Sequence, residues 1–208
     1  MNYAHKLVAI EAGLTLYVPD NELVKSRYEV LLANNAATKF PFWAKIWPAS
    51  TAMCTFLQTE TSYIKGKRVL EIGAGIGLPS FVIANHCSEI IISDYASEAI
   101  TLIEKNITHL GLTNAKAMYL DWNDFPANIT ADVLLLSDIN YAPAEFNSLQ
   151  ELIQRFLAQG STIIIATPQR ITASPFVEKL AQYIKRSELH PIQNEFELTD
   201  IRMLVLSF

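Results

Sequence analysis

From Lys67 onward the chain alternates between short apolar runs and longer stretches in which apolar residues recur at helical spacing. That alternation predicts parallel strands joined by crossover helices. The runs are Arg68–Ile72, Glu89–Ser93, Ala117–Leu120, Asp132–Leu136 and Ser161–Ala166, and their near-continuous hydrophobicity predicts a sheet covered on both faces. Ile100, Ile103, Ile107 and Leu110 form one helical stripe, and Phe146, Leu149, Ile153 and Phe156 form another; Gly111 and Gly160 follow them as stops. A last helix, about Ser174 to Lys185, leads to two apolar-rich segments, Leu189–Leu198 and Ile201–Phe208, joined by Thr199-Asp200. So short a connection predicts an antiparallel hairpin, because a parallel crossover needs a dozen residues or more. The fold class is α/β, a doubly wound and mostly parallel sheet finished by an antiparallel C-terminal hairpin.

Before Lys67 the pattern is less regular. An apolar stretch at Leu14–Val18 precedes a helix from Asn21 to about Ala33, and another helix starts near Ser50. Between them, Phe40–Pro48 is rich in aromatic residues and holds two prolines, which predicts a shaped loop rather than a helix. Residues 1–208 read as one domain, with 1–48 as an N-terminal cap or lid and 49–208 as a ligand-binding core.

Composition narrows the function. The net charge of −5 argues against a phosphate-backbone binder. No run approaches a membrane span, Glu11 interrupts the mildly apolar N-terminus, and Cys54 and Cys87 lack disulfide or zinc spacing, so we expect a cytoplasmic protein with no membrane partner. The Asn-Ile-Thr triplets at Asn106 and Asn128 matter only in a secreted chain and are discounted. His5, His86, His109 and His190 show no metal spacing, so no metal site is expected.

The chemistry concentrates where strands end. The first run closes in Glu71-Ile-Gly73-Ala-Gly75-Ile-Gly77, after which a helix opens at Leu78 with Pro79 in its first turn. Glycines at alternate positions let the backbone turn tightly and approach a ligand closely. A dinucleotide loop would space its glycines differently and hold a pyrophosphate. Here Glu71 would repel a phosphate and attract an ammonium or sulfonium, which points to a cationic nucleoside. Asp94 ends the second strand, where a carboxylate can accept both ribose hydroxyls, and Tyr95 offers a ring face to a base; Asp94 could also cap the following helix. Asp121-Trp122 repeats the arrangement after the third strand, a carboxylate for an exocyclic amine beside an indole.

With these residues the chain resembles the class I, Rossmann-like methyltransferases over nearly its whole length. The resemblance implies S-adenosylmethionine as cofactor and a seven-stranded sheet ordered 3-2-1-4-5-7-6. Trp47-Pro-Ala before a helix, and Ser137-Asp-Ile-Asn-Tyr141 after the fourth strand, make it similar to methyltransferase family 16, which includes lysine methyltransferases and has been called nicotinamide N-methyltransferase-like. By that analogy Trp47 borders the methionine end of the cofactor, Ser137 joins the cofactor contacts, and Asp138 and Tyr141 border the acceptor and serve catalysis. The chain departs from lysine-specific members in having Ile139-Asn140 where they carry two apolar residues.

The reading is an N-methyltransferase acting in line on a protein lysine. The alternatives are a small-molecule amine or heterocycle N-methyltransferase, a non-catalytic cofactor-binding protein, and, with less support, an NAD-dependent oxidoreductase. Arg170, after the fifth strand, reads as a solvated loop residue. The substrate partner is a protein or a small amine rather than a nucleic acid.

Overall fold

A computed structural model describes residues 4–10, 13–35, 40–170, 174–193 and 198–208. Seven strands form the main sheet: β3 (Arg68–Ile72), β4 (Glu89–Asp94), β5 (Ala115–Tyr119), β6 (Val133–Ser137), β7 (Thr162–Pro168), β8 (Ile184–Gln193) and β9 (Leu198–Leu206). Their order is β5-β4-β3-β6-β7-β9-β8, the anticipated 3-2-1-4-5-7-6 when counted from β3. β3 pairs parallel with β4 and β6, β4 with β5 and β6 with β7, while β9 runs antiparallel to both β7 and β8.

Alternate residues of each central strand serve opposite cores, as the twofold pleat requires. Val69, Ile90, Ile92, Val133 and Leu135 pack under α2 (Pro48–Thr59), α3 (Leu78–Ile83) and α4 (Ser97–Leu110). Leu70, Ile72, Leu134, Leu136, Ile163 and Ile165 pack under α5 (Phe146–Ala158) and α6 (Ser174–Leu180). Among the described residues no helix is long and apolar enough to cross a membrane.

The C-terminal hairpin is present, but its turn is not at Thr199-Asp200. Both residues belong to β9, pairing with Ile192 and Pro191. They are polar because β7 ends at Pro168, opposite Ile201, so residues 198–200 extend past the body of the sheet toward solvent. The connection, residues 194–197, lies outside the described residues, as does Glu11. The last helix also stops short of Lys185: α6 ends at Leu180, a 3₁₀ turn covers Ala181–Tyr183, and β8 starts at Ile184. β8 is an edge strand with alternating half-buried and exposed residues, and that polar alternation conceals it.

The N-terminal segment forms β1 (His5–Ala9) and β2 (Thr15–Pro19), paired antiparallel, followed by α1 (Asn21–Asn34), which Asp20 caps through the amides of Glu22 and Leu23. Side chains of α4 fasten the pair, Asn106 above all. Asn106, fully buried, accepts from the Tyr17 N–H at 2.7 Å and donates to the Tyr17 carbonyl at 3.0 Å, taking the place of a neighbouring strand. Lys105 adds an ammonium 3.7 Å from the centroid of the Tyr17 ring. Asn106→Leu keeps the volume but strands both Tyr17 groups, so it is expected to cost roughly 1–3 kcal/mol in urea unfolding and to speed hydrogen exchange at the Tyr17 amide. An unchanged midpoint and unchanged protection would mean that packing alone holds the hairpin.

Candidate active site

The carboxyl ends of β3, β4, β6 and β7 open into a cleft walled on its other side by the segment from Phe42 to Ser50. Parallel α/β sheets place ligands at this edge because the loops there diverge. Trp47, Gly73, Gly75, Leu78, Asp94, Tyr95, Trp122, Ser137, Asp138 and Tyr141 all line the cleft, so the structure gathers most of the anticipated site residues.

Three anticipated cofactor contacts sit elsewhere. Glu71 lies beneath the glycine loop, 1% exposed, and accepts from the hydroxyl and the backbone N–H of Ser80 in α3. It therefore ties the helix to the strand instead of presenting its charge to a ligand. Burial pushes its carboxyl up to about 7, against the opposing pull of Ser80. Gly77 is also structural, since a Cβ there would come within 3.0 Å of Ile92 and 3.1 Å of the Phe81 ring. Asp121 accepts from the backbone and side-chain amides of Asn123 and borders an adjoining depression that shares Phe42, Tyr95, Trp122 and Tyr141 with the main cleft.

The rest of the loop is shaped by contacts within the chain. Gly75 has φ +56°, and a Cβ on it would lie 2.9 Å from the carbonyl oxygen of Trp43. Its bare backbone thus lets the 3₁₀ turn Phe42–Ala44 rest on the loop. Asp94, 4% exposed, accepts from the Gly75 N–H at 2.8 Å and from the Ala96 N–H at 2.9 Å. Burial raises its pKa while these amides oppose the rise. Trp122 is held by its indole N–H, which donates to Glu145 at 2.8 Å.

Another wall of the cleft holds Asp138, whose φ of +53° makes it the one non-glycine with positive φ among the described residues. Asn and Asp tolerate that region better than other side chains. Its carboxylate is gripped from both sides by Arg170, at 2.6 and 3.1 Å, so Arg170 is an ion-paired wall of the cleft rather than a solvated loop residue. Burial raises the Asp138 pKa and the guanidinium opposes it. Tyr141 packs on Phe42 with ring centroids 5.1 Å apart, and burial, reinforced by nearby acidic groups, pushes its hydroxyl up to about 12. At neutral pH that hydroxyl is a donor, not a base.

The Ile139-Asn140 departure resolves in the fold. Ile139 lines the cleft against Gly73, whereas Asn140 is fully buried and accepts from the Thr167 hydroxyl at 2.9 Å. Lys45 and Ser50 also line the cleft and escaped sequence reasoning; their signal was position in the aromatic loop and the first turn of the helix after it.

S-adenosylmethionine fits what is here. The cleft offers a glycine floor, an acid at the second strand's end, and the Ser137 hydroxyl, buried and without a partner among the described residues. Gly73, Gly75, Asp94, Tyr95, Trp122 and Ser137, which line the cleft, would hold it.

Two outcomes follow from this geometry. Gly75→Ala should cost about 1–2 kcal/mol from the left-handed backbone alone. Because it also drives the Trp43 backbone off the loop, calorimetry should show S-adenosylhomocysteine binding weakened by roughly tenfold or more in a variant that remains folded. The second outcome concerns Glu71. Its pKa is higher folded than unfolded, so the folded state holds the proton more tightly, and stability present at low pH is lost as pH rises from 4.5 to about 7. Glu71→Gln removes that slope, and denaturation on either side of the window should show the wild type losing ground to the variant as pH rises.

Comparison with known proteins agrees with the geometry. A family model described as lysine methyltransferase matches residues 29–183. A calmodulin-lysine N-methyltransferase of Arabidopsis thaliana is 31% identical over 72% of this chain and 52% of its own length. A protein N-lysine methyltransferase METTL21A of Danio rerio is 29% identical over 70% of this chain and 72% of its own. A human histone-arginine methyltransferase, METTL23, is 30% identical over 50% and 58%. The chain thus spans just over half the length of the first of these relatives. In fold it is similar to the N-methyltransferase NodS of Bradyrhizobium japonicum in complex with S-adenosyl-L-homocysteine, with a TM-score of 0.62 at 15% identity over 86% of this chain and 97% of that one. With the glycine loop, the sheet order and the family match in agreement, this chain belongs to the lysine methyltransferase family.

Proposed function

We propose that the chain is an S-adenosylmethionine-dependent methyltransferase that methylates a nitrogen on a protein side chain, with lysine as acceptor. The observation that carries this reading is the ion-paired Asp138 beside Tyr141, in the same cleft as the glycine floor. S-adenosylmethionine, when bound, supplies an electrophilic methyl group on a sulfonium. The chain must then align a nucleophile behind that carbon at about 3 Å.

A lysine amine must also be neutral, and its ordinary pKa is about 10.4. Phe42, Trp47 and Tyr141 form an aromatic wall that displaces water from the acceptor, and desolvation lowers an amine's pKa. Asp138 can accept a hydrogen bond from the amine and so fix its direction. A lone carboxylate would also favour the ammonium form, but Arg170 offsets that field. Tyr141 offers a donor and a ring face. Phe42 and Tyr141 remain 42% and 37% exposed, an open aromatic mouth that suits a protein chain better than a small enclosed amine. Relatives named for protein acceptors support the same choice. The two buried free cysteines are in keeping with a cytoplasmic setting.

Incubating the protein with tritiated cofactor and cell lysate should label a protein band, and hydrolysis of that band should yield methyl-lysine. Label confined to small molecules would favour the small-amine alternative, and no label a binding protein. Asp138→Asn, which keeps the tolerance for positive φ, should lower transfer by roughly tenfold to a hundredfold while leaving S-adenosylhomocysteine affinity within about twofold. Full transfer by this variant would remove Asp138 from the acceptor site.

A further inference from the structure

We propose that Lys45 holds the carboxylate at the methionine end of the bound cofactor; this rests on reading the cleft as an S-adenosylmethionine site. The cofactor carries an ammonium and a sulfonium but only one anion, its carboxylate. Asp94 and Asp138, the carboxylates in the cleft, cannot match that anion.

Two cationic side chains line the cleft, Lys45 and Arg170. Arg170 is committed, with one nitrogen to each oxygen of Asp138. Lys45 is exposed, and its ammonium stands 4.8 Å from the centroid of the Trp47 ring. No carboxylate among the described residues pairs with it. An ammonium over an indole face keeps N–H donors for another acceptor.

A second, independent feature favours an anion at the same place. Helix α2 starts at Pro48, just after this lysine, and has neither a side-chain cap nor an acidic residue in its first turn. The N–H groups of Ser50 and Thr51 donate to the Trp47 carbonyl, but no acidic side chain in that turn offsets the helix dipole, and Ser50 lines the cleft. The loop is fixed against the cleft floor, because Trp43 seats its backbone on Gly75, whose amide Asp94 holds.

The test uses the full chain and two ligands in calorimetry: S-adenosylhomocysteine, and S-adenosyl-3-thiopropylamine, which is the same molecule without its carboxylate. Wild type should bind the first roughly tenfold more tightly. Lys45→Met, which keeps the apolar stem over Trp47, should lose about that factor for S-adenosylhomocysteine and nothing for the decarboxylated ligand. Lys45→Arg should restore most of the difference. Equal weakening of both ligands by Lys45→Met would overturn the proposal, because the lysine would then act through the loop's shape. Undiminished S-adenosylhomocysteine binding by that variant would overturn it too, as would a wild type that binds both ligands equally. Binding of neither ligand by wild type would remove the cofactor reading itself, and the proposal with it.

Discussion

The cleft depends on one buried carboxylate. Asp94 bonds the amide of Gly75 with one oxygen and the amide of Ala96 with the other, locking the turn after β3 to the turn after β4. Hydrogen bonds to a charged group are each worth about 1.5–3 kcal/mol, enough to hold an irregular loop in one shape. Gly75, held in that shape and lacking a Cβ, then accepts the Trp43 backbone against it. The aromatic segment becomes a wall of the cleft because the floor beneath it is fixed.

Charge is partitioned around that floor. Glu71 is withdrawn under the loop, bound to Ser80, and burial favours its neutral form. Asp138 pairs with Arg170 at the cost of a left-handed backbone. A carboxylate in that position can accept a hydrogen bond, and its paired guanidinium offsets its field. Between these groups the wall supplies Lys45 and the positive end of α2, so the cleft presents acidic and basic features to a ligand that carries both signs.

What was legible in the chain follows from how each signal arises. Central strands such as Val133–Ser137 are covered on both faces, so their hydrophobicity shows directly. β8 is an edge strand, and the alternation of Lys185 and Ser187 with Arg186 and Glu188 hides its first half, so that the expected segment began only at Leu189. Thr199 and Asp200 resemble a turn because they are polar, yet they are strand residues that project past the end of β7. Asn140 resembled a departure from pattern; it is buried, is not among the residues that line the cleft, and accepts from Thr167.

The sequence by itself determined the α/β class, the strand order through its resemblance, the glycine loop and the acid that follows it, because these are local patterns of spacing and hydrophobicity. Only the tertiary structure decided which side chains line the cleft. It turned Glu71 and Gly77 to structural duty, moved Asp121 to a neighbouring depression, and joined Arg170 to Asp138 across the ends of β6 and β7. The reason is geometric: a residue's neighbours along the chain set its backbone, but its chemical role is set by partners that only folding brings within hydrogen-bond reach.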